Sequence, residues 1–241
     1  LVIDAFGNTH IGMVRSNNED AFGVYRDLSL YIVADGLGGH AGGEIASRLA
    51  VEAIRDRISL TSERGGKIED DLIEAIKGAN TSINILAKEQ SLLGMGTTVV
   101  VARIEGDRAI IAHVGDSRAY LIRGMTITQV TRDHTIVEEY VRIGLLSSQD
   151  ARYHPYRHIL SRALGTSGDV EIDVAEIRLE PGDTIILCTD GLTNMLTDKD
   201  ILNTVAELRP SPRKITETLI SQANRNGGID NITVITICIE G

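Results

Sequence analysis

Four aspartates stand where apolar runs give out: Asp35 after YIVA, Asp116 after IAHVG, Asp190 after IILCT and Asp230 just before NITVITI. Singly, each is ordinary turn chemistry, because Asp–Gly is a common turn pair. As a set they place carboxylates at strand ends, and strands packed side by side bring such ends into one cleft. Clustered carboxylates repel and raise one another's pKa unless cations lie among them. A ligand set made only of oxygen selects hard ions, Mg2+ or Mn2+, over zinc. Two such ions a few ångströms apart turn a shared water into hydroxide and clamp a phosphoryl group for in-line attack. That chemistry is metal-assisted phosphoester hydrolysis.

Two other stretches suit it. RSNNED (15–20) supplies Arg15, whose fork matches two phosphate oxygens, and the pair Glu19 and Asp20, which can accept hydrogen bonds from metal-held waters. The plainer alternative for Arg15 is a surface ion pair. His40, five residues past Asp35 in YIVADGLGGHAGGE, has the unperturbed pKa to protonate a leaving alkoxide; its plainer alternative is a solvated loop histidine. The same glycine-rich stretch satisfies G-x-G-x-x-[GA], the fingerprint of a dinucleotide-binding turn. The rest of that unit is missing. The place about 20 residues on, where an acid should end a second parallel strand, falls near Asp56 and Arg57 inside a helical pattern. No G-x-x-x-x-G-K-[ST] exists either.

The elements that must hold these residues follow from periodicity. Short alternating runs at 11–14, 21–25 and 30–34 predict strands. Apolar positions Ile45, Leu49, Ala53 and Ile54 predict a helix over 43–58, and Leu72, Ile76, Ile83 and Leu86 another over 68–88. TTVVVARI and RAIIAHV flank Glu105-Gly106-Asp107, and RAYLI and TITQV flank Arg123-Gly124-Met125, so both pairs are antiparallel hairpins. Residues 135–164 turn helical and polar, with Pro155 inside, which predicts an inserted flap. Strands return at 170–179 and 184–188, helices at 198–208 and 211–224, and a last strand at 232–239. Hairpins with helices in pairs imply one antiparallel α+β domain over 1–241, without repeats or an internal boundary.

Composition removes several classes of function. The net charge of −10 disfavours nucleic acid and anionic membrane, both of which reward basic surfaces. With two Phe, six Tyr and no Trp, the core must be built of Val, Ile, Leu and Ala. Cys188 and Cys238 lie in strand-like apolar runs and read as core residues rather than a disulfide. Neither opens the C-x5-R signature of cysteine phosphatases, since Asn194 stands six residues after Cys188. There is no membrane-length apolar run and no signal peptide, which points to the cytoplasm. A start at Leu1 rather than Met is compatible with a piece cut from something longer.

RSNNED, VADGLGGHAGGE, GMGTT, HVGDSRAYL, TRDHT, CTDGL and GIDNITV, in that order, closely resemble the motifs of the metal-dependent (PPM, type 2C) serine/threonine protein phosphatases, bacterial ones in particular. The likeness runs from about residue 9 to 239. It implies a sandwich of two antiparallel sheets flanked by helices, a binuclear Mg/Mn centre between them, and hydrolysis of phosphoserine and phosphothreonine by a metal-bridging hydroxide without a phosphoenzyme. It further implies that Asp35 bridges two metals with the Gly36 carbonyl on one, that Asp190 and Asp230 complete the other, and that Glu19 and Asp20 hold metal waters. Arg15 would bind phosphate, His40 would be the general acid, and Asp116 with Asp190 would hold a third, weaker metal. In the 135–164 flap, His158 matches a histidine implicated in substrate handling. An alternative pairs His154 with His158, four apart, on a metal. The implied partners are phosphoproteins in signal transduction, a Ser/Thr kinase among them; a non-catalytic sensor of the same fold is the alternative.

Two departures stand out. Asn194 occupies a place where many relatives carry an acid, so the third site should be weaker. The usual Thr-Asp-x-Gly near the start reads Thr9-His10-Ile11-Gly12.

Overall fold

The structure, a computed structural model, describes residues 1–38, 41–61, 66–92, 94–151 and 154–241. The chain opens with strands β1 (Val2–His10), β2 (Asp20–Tyr25) and β3 (Leu30–Leu37), then helices α1 (Ala41–Thr61) and α2 (Ile68–Glu89). Strands β4 (Gly96–Thr97), β5 (Val99–Glu105), β6 (Arg108–Val114), β7 (Arg118–Arg123) and β8 (Thr126–Gln129) follow, then short helices α3 (Ile136–Arg142) and α4 (Ser148–Ala151). The last part holds β9 (Asp173–Arg178), β10 (Thr184–Cys188), α5 (Asp190–Thr193), α6 (Asp198–Leu208), α7 (Pro212–Arg225) and β11 (Ile232–Glu240). One sheet runs β1-β11-β10-β7-β8 and the other β2-β3-β5-β6-β9, with β4 attached to β3. Every pairing is antiparallel.

Alternation along each strand divides the interior into three layers. In β3, Tyr31 and Val33 face the other sheet, while Leu30, Ile32 and Ala34 face α1 and α2. In β10, Ile185 and Leu187 point inward, and Ile186 and Cys188 point to α6 and α7. Strands covered on both faces read as unbroken apolar runs, which is why TIILC and ITVITICI show no alternation in sequence. The helices close the outer layers with helical-spaced stripes: Ala46, Ala50, Ile54 and Ile58 on α1, Leu72, Ile76 and Ile83 on α2, Ile215 and Leu219 on α7. Each fully buried Ile or Leu contributes about 1.5–3 kcal/mol. Helix α6 starts in a capping box between Thr197 and Asp200.

Two expectations need correction. Residues 11–14 are a turn, not a strand; the strand lies just before, at Val2–His10. Its run VIDAFGNTH carries Asp4, Gly7 and Asn8 and is weak in intrinsic β-propensity, but nine consecutive residues pair with β11 and tertiary pairing overrides it. Asp35 does not follow its strand either. β3 continues through Gly36 and Leu37, which pair with Thr97 and Gly96 of β4. Residues 135–164 leave and return through a narrow neck, where Ile136 N–H donates to Ile159 O and Ser161 N–H to His134 O, both at 2.9 Å. Among its described residues only the short α3 and α4 are helical, and α3 is capped by Thr135. No helix among the described residues is long and apolar enough to cross a membrane.

Candidate metal centre

The inward-facing positions of the sandwich are apolar along most of their length and turn polar at one end. Continuing the inward parity beyond Tyr31 and Val33 in β3 reaches Asp35; beyond Ile185 and Leu187 in β10 it reaches Thr189. In β11 the same parity leads from Ile235 to Thr233, and in β1 from Ala5 to Thr9. Asp20 is the register partner of Asp35 across β2 and β3, so the two carboxylates share that face.

Asp20 is held by a directed chain of hydroxyls. Its Oδ2 accepts from Thr233 Oγ1 at 2.6 Å and from Thr189 Oγ1 at 2.9 Å. The single hydroxyl proton of Thr233 is thereby used, so Thr9 must donate across their 2.7 Å contact, and Thr9 in turn accepts from Asn18 Nδ2 at 2.9 Å. Every donor in the chain points toward Asp20. Its other oxygen, Oδ1, is buried and without a hydrogen-bond partner. A native buried acceptor left in that state calls for a water or an ion.

Asp35 is fixed through its backbone. Its N–H donates to Thr98 Oγ1, and its carbonyl accepts from Thr98 N–H at 2.9 Å and Thr97 Oγ1 at 2.8 Å. Glu19 and the glycines interlock beside it. Gly36 N–H donates to Glu19 O at 3.1 Å; a Cβ on Gly36 would meet that oxygen at 2.4 Å and Gly43 O at 2.3 Å. A Cβ on Gly43 would fall 2.0 Å from Glu19 Oε2. Gly43 therefore makes room for the Glu19 carboxylate, and Gly36 for the Glu19 and Gly43 backbone carbonyls.

Asp190 opens α5, immediately after β10, and accepts from Asn194 Nδ2 at 3.0 Å. Asp230 accepts at Oδ1 from Asn231 N–H at 2.8 Å and at Oδ2 from Arg15 Nη2 at 2.7 Å. Both readings of Arg15 thus meet in one place: it is an exposed ion pair, made with a predicted metal ligand. Sequence reasoning missed Asn231. Its Nδ2 donates to Ile11 O and Asn17 O, each at 2.9 Å, and its Oδ1 accepts from Glu19 N–H at 2.8 Å, which fixes the orientation of the amide. One buried side chain pins the whole loop that carries Arg15 and Glu19 to the start of β11. Its signal was the Asp-Asn pair in GIDNITV. Behind Asp230, Gly12, at φ +85°, sits where a Cβ would meet the Asp230 carbonyl at 2.2 Å.

Burial drives the electrostatics. Asp35 is pushed well above the usual carboxylate range by burial and then by Asp20, Asp190, Asp116 and Asp230. Burial lifts Asp20 to about 7 against its two threonine hydrogen bonds. Asp116 rises to about 8 through burial, Asp190 and Asp133. Asp190 is raised by burial and Asp230, opposed by hydrogen bonds with Asn194 and Asp35 and by the charge of His158. Such a group is costly without cations, and its all-oxygen donor set suits Mg2+ or Mn2+. The residues therefore fit a hard divalent centre, with the bare Asp20 Oδ1 as the most direct sign.

Asp116 lies beyond β6, next to a rigid support. Arg118 donates from Nε and Nη2 to Asp133 at 2.7–3.1 Å and from Nη1 to Tyr120 Oη at 2.9 Å. HVGDSRAYL and TRDHT are tied together by that fork. Among the described residues, the set of three candidate ligands within 4.8 Å is a different one: His113, His134 and Asp173. It was not foreseen, and its geometry opposes a metal. The imidazoles stack at 4.6 Å and 22°, so their lone pairs run side by side, His113 Nε2 bonds Arg132 O, and Arg162 already neutralises Asp173 at 2.8 Å. Burial lowers the pKa of both histidines.

His158 is exposed in the turn after α4. His154 Nδ1 accepts from Tyr156 N–H at 3.2 Å, which uses one of the two nitrogens a His154–His158 metal pair would need. His40 lies outside the described residues. Both cysteines are buried, and burial pushes Cys188 up to about 12 and Cys238 to about 11, so neither is a thiolate nucleophile.

Comparison with known proteins gives a consistent answer. The protein phosphatase 2C family profile matches residues 6–226. The serine/threonine phosphatase stp of Listeria welshimeri is 40% identical over 235 residues, covering 95% of this chain and 93% of its own. The crystal structure of the serine/threonine phosphatase PstP/Ppp of Mycobacterium tuberculosis superposes with a TM-score of 0.92 at 36% identity, covering 100% of both chains. That of the PstP catalytic domain in complex with two manganese ions has a TM-score of 0.88 at 33% identity, covering 99% of each chain.

Proposed function

The chain belongs to the protein phosphatase 2C family and dephosphorylates proteins at serine and threonine with divalent metal, and on that premise we propose which of its residues do so. Asp35, Asp190 and Asp230, with the Gly36 carbonyl, would hold two Mg2+ or Mn2+ ions. Asp116 and Asp190, with Asn194 beside them, would hold a third ion more weakly, because a neutral amide ligates a cation less strongly than a carboxylate. When bound, the ions acidify a water for attack on phosphorus and neutralise the phosphoryl oxygens.

The chain's own groups do the rest. Asp20, with its Oδ2 saturated by Thr189 and Thr233, offers only Oδ1 to the cleft and so orients a water there in one direction. Glu19, locked against Gly43, takes a second water. Arg15 exchanges Asp230 for the phosphate it meets, and its fork grips two oxygens. The attacking oxygen bonds to phosphorus as the bond to the seryl or threonyl oxygen breaks. His40 returns a proton to that leaving oxygen, and His158 steers the substrate from the 135–164 flap. Phosphorylated proteins, Ser/Thr kinases among them, are the substrates.

The observation that carries this reading is the buried, partnerless Asp20 Oδ1 at the end of a directed donor chain, opposite Asp35. The test is turnover of a phosphothreonine peptide with Mn2+, with EDTA, and by Asp35→Asn and Asp190→Asn, alongside Mn2+ calorimetry. Loss of activity together with loss of Mn2+ binding is expected; turnover in EDTA would sink the mechanism. For the third site, Asn194→Asp is expected to tighten one additional Mn2+ in the same calorimetry.

A further inference from the structure

Next to Arg15 and Asp230 runs a strip of apolar side chains that the chemistry does not use. Met13 and Val14 are 67% and 68% exposed, and Ile229 is 50% exposed. They are one surface rather than scattered residues. Met13 N–H donates to Gly228 O at 2.7 Å, and a Cβ on Gly228 would meet Met13 Cγ at 2.8 Å. A Cβ on Gly227 would touch Met195 Sδ at 3.6 Å and Ile229 Cγ2 at 3.7 Å. Gly227 and Gly228, both at positive φ, let these side chains close over the backbone without an intervening Cβ. The exposed strip thus reads Val14, Met13 and Ile229, while Met195, beside Gly227, is half-buried against the outer core of α6 and α7. Its residues adjoin those of the candidate centre in sequence: Arg15 follows Val14 and Asp230 follows Ile229, and that arginine and aspartate are joined by an ion pair at 2.7 Å.

Isolated exposed hydrophobes need no explanation, but a contiguous strip beside a catalytic cleft marks contact with a partner. Continuity with the centre says what that partner is. A phosphorylated side chain is short, so a substrate whose phosphate reaches Arg15 must lay its neighbouring residues across the rim that carries Arg15. That rim is apolar and, through Met13, adaptable in shape. We propose that the strip is a shelf seating an apolar side chain of the substrate within a few residues of the phosphorylated serine or threonine. The shelf rests on the phosphatase reading and adds a sequence preference to it. It sets the substrate class as phosphoproteins with Leu, Ile, Val or Met beside the phosphosite.

The experiment compares two phosphothreonine peptides of equal charge, one with Leu and one with Ser on both sides of the phosphoresidue. Wild-type enzyme with Mn2+ is expected to favour the Leu peptide about tenfold in kcat/KM, the discrimination typical of a hydrophobic contact. In Met13→Ser/Val14→Ser and in Ile229→Ser, the ratio is expected to fall toward one. An unchanged ratio in the variants, or equal loss on both peptides, overturns the shelf, the latter because the strip would then serve the centre itself. Hydrolysis of p-nitrophenyl phosphate by the wild type keeps the two ideas apart. If it is turned over while the peptides are not distinguished, only the shelf fails; if neither it nor a peptide is turned over, the phosphatase reading fails with it.

Discussion

Replacing Asn231 by Asp tests how far the loop carrying Arg15 and Glu19 depends on one side chain. The change is nearly isosteric and turns the NH2 group into a carboxylate oxygen. Asn231 is 6% exposed, and its Nδ2 donates to Ile11 O and Asn17 O, each at 2.9 Å. The variant leaves two carbonyls without a donor and sets a negative oxygen against both. Those carbonyls can regain water in part, so each loss is at the low end, about 1 kcal/mol, and the nearly buried new charge adds a similar amount. The sum is about 3 kcal/mol, which lowers Tm by about 6–12 °C in a chain of this length. Because Glu19 N–H and the 11–19 loop hang on the same amide, kcat/KM for a phosphopeptide is expected to fall in parallel. Differential scanning calorimetry and steady-state kinetics on the purified variant check both. A Tm within about 2 °C of wild type, or a large Tm loss with unchanged kcat/KM, would refute the claim that this residue positions the loop.

Glycine in a helix is ordinarily a weakness, and two of the helical glycines here, Gly78 and Gly43, should respond oppositely. Gly78→Ala, with nothing within 4 Å of its new Cβ, is expected to stabilise by about 0.5–1 kcal/mol in denaturant titration. Gly43→Ala displaces the Glu19 carboxylate, 2.0 Å from that Cβ, and is expected to weaken Mn2+ binding about tenfold in calorimetry. Protons should leave on metal binding. Burial holds Asp35 high, Asp116 at about 8 and Asp20 at about 7, so at pH 6.5 the metal-free chain carries protons that Mn2+ must expel. Titration in buffers of different ionisation enthalpy is expected to show release of about one proton or more; no release contradicts the clustering. The sign for stability follows: the metal-free fold binds more protons than the unfolded chain between about pH 4 and 8, so its Tm should fall as pH rises through that window, and Mn2+ should remove the slope. Arg118→Met strips Asp133 of its fork and Tyr120 of its donor, with an expected cost of about 2–3 kcal/mol by urea unfolding.

The sequence by itself determined the identity of the chemistry. Four aspartates at the ends of apolar runs, an arginine and an acid pair in RSNNED, and hairpins with paired helices are local signals, written in residue type and spacing. They were legible because strand ends and turns obey short-range rules. What only the tertiary structure decided lies across the chain. The partnering of Asp20 with Asp35 is a register, and the saturation of Asp20 by Thr189 and Thr233 joins residues 169 and 213 positions away. The strand at Val2–His10 exists because β11 is beside it, and Asn231 matters because its amide reaches Ile11 and Asn17. Even the glycine-rich stretch after Asp35 changed meaning, from the fingerprint of a dinucleotide-binding turn to a close packing in which Gly43 gives space to the Glu19 carboxylate and Gly36 to two backbone carbonyls. Such facts depend on which surfaces meet once hydrophobic layers have packed, and burial then sets how strongly each carboxylate needs a cation.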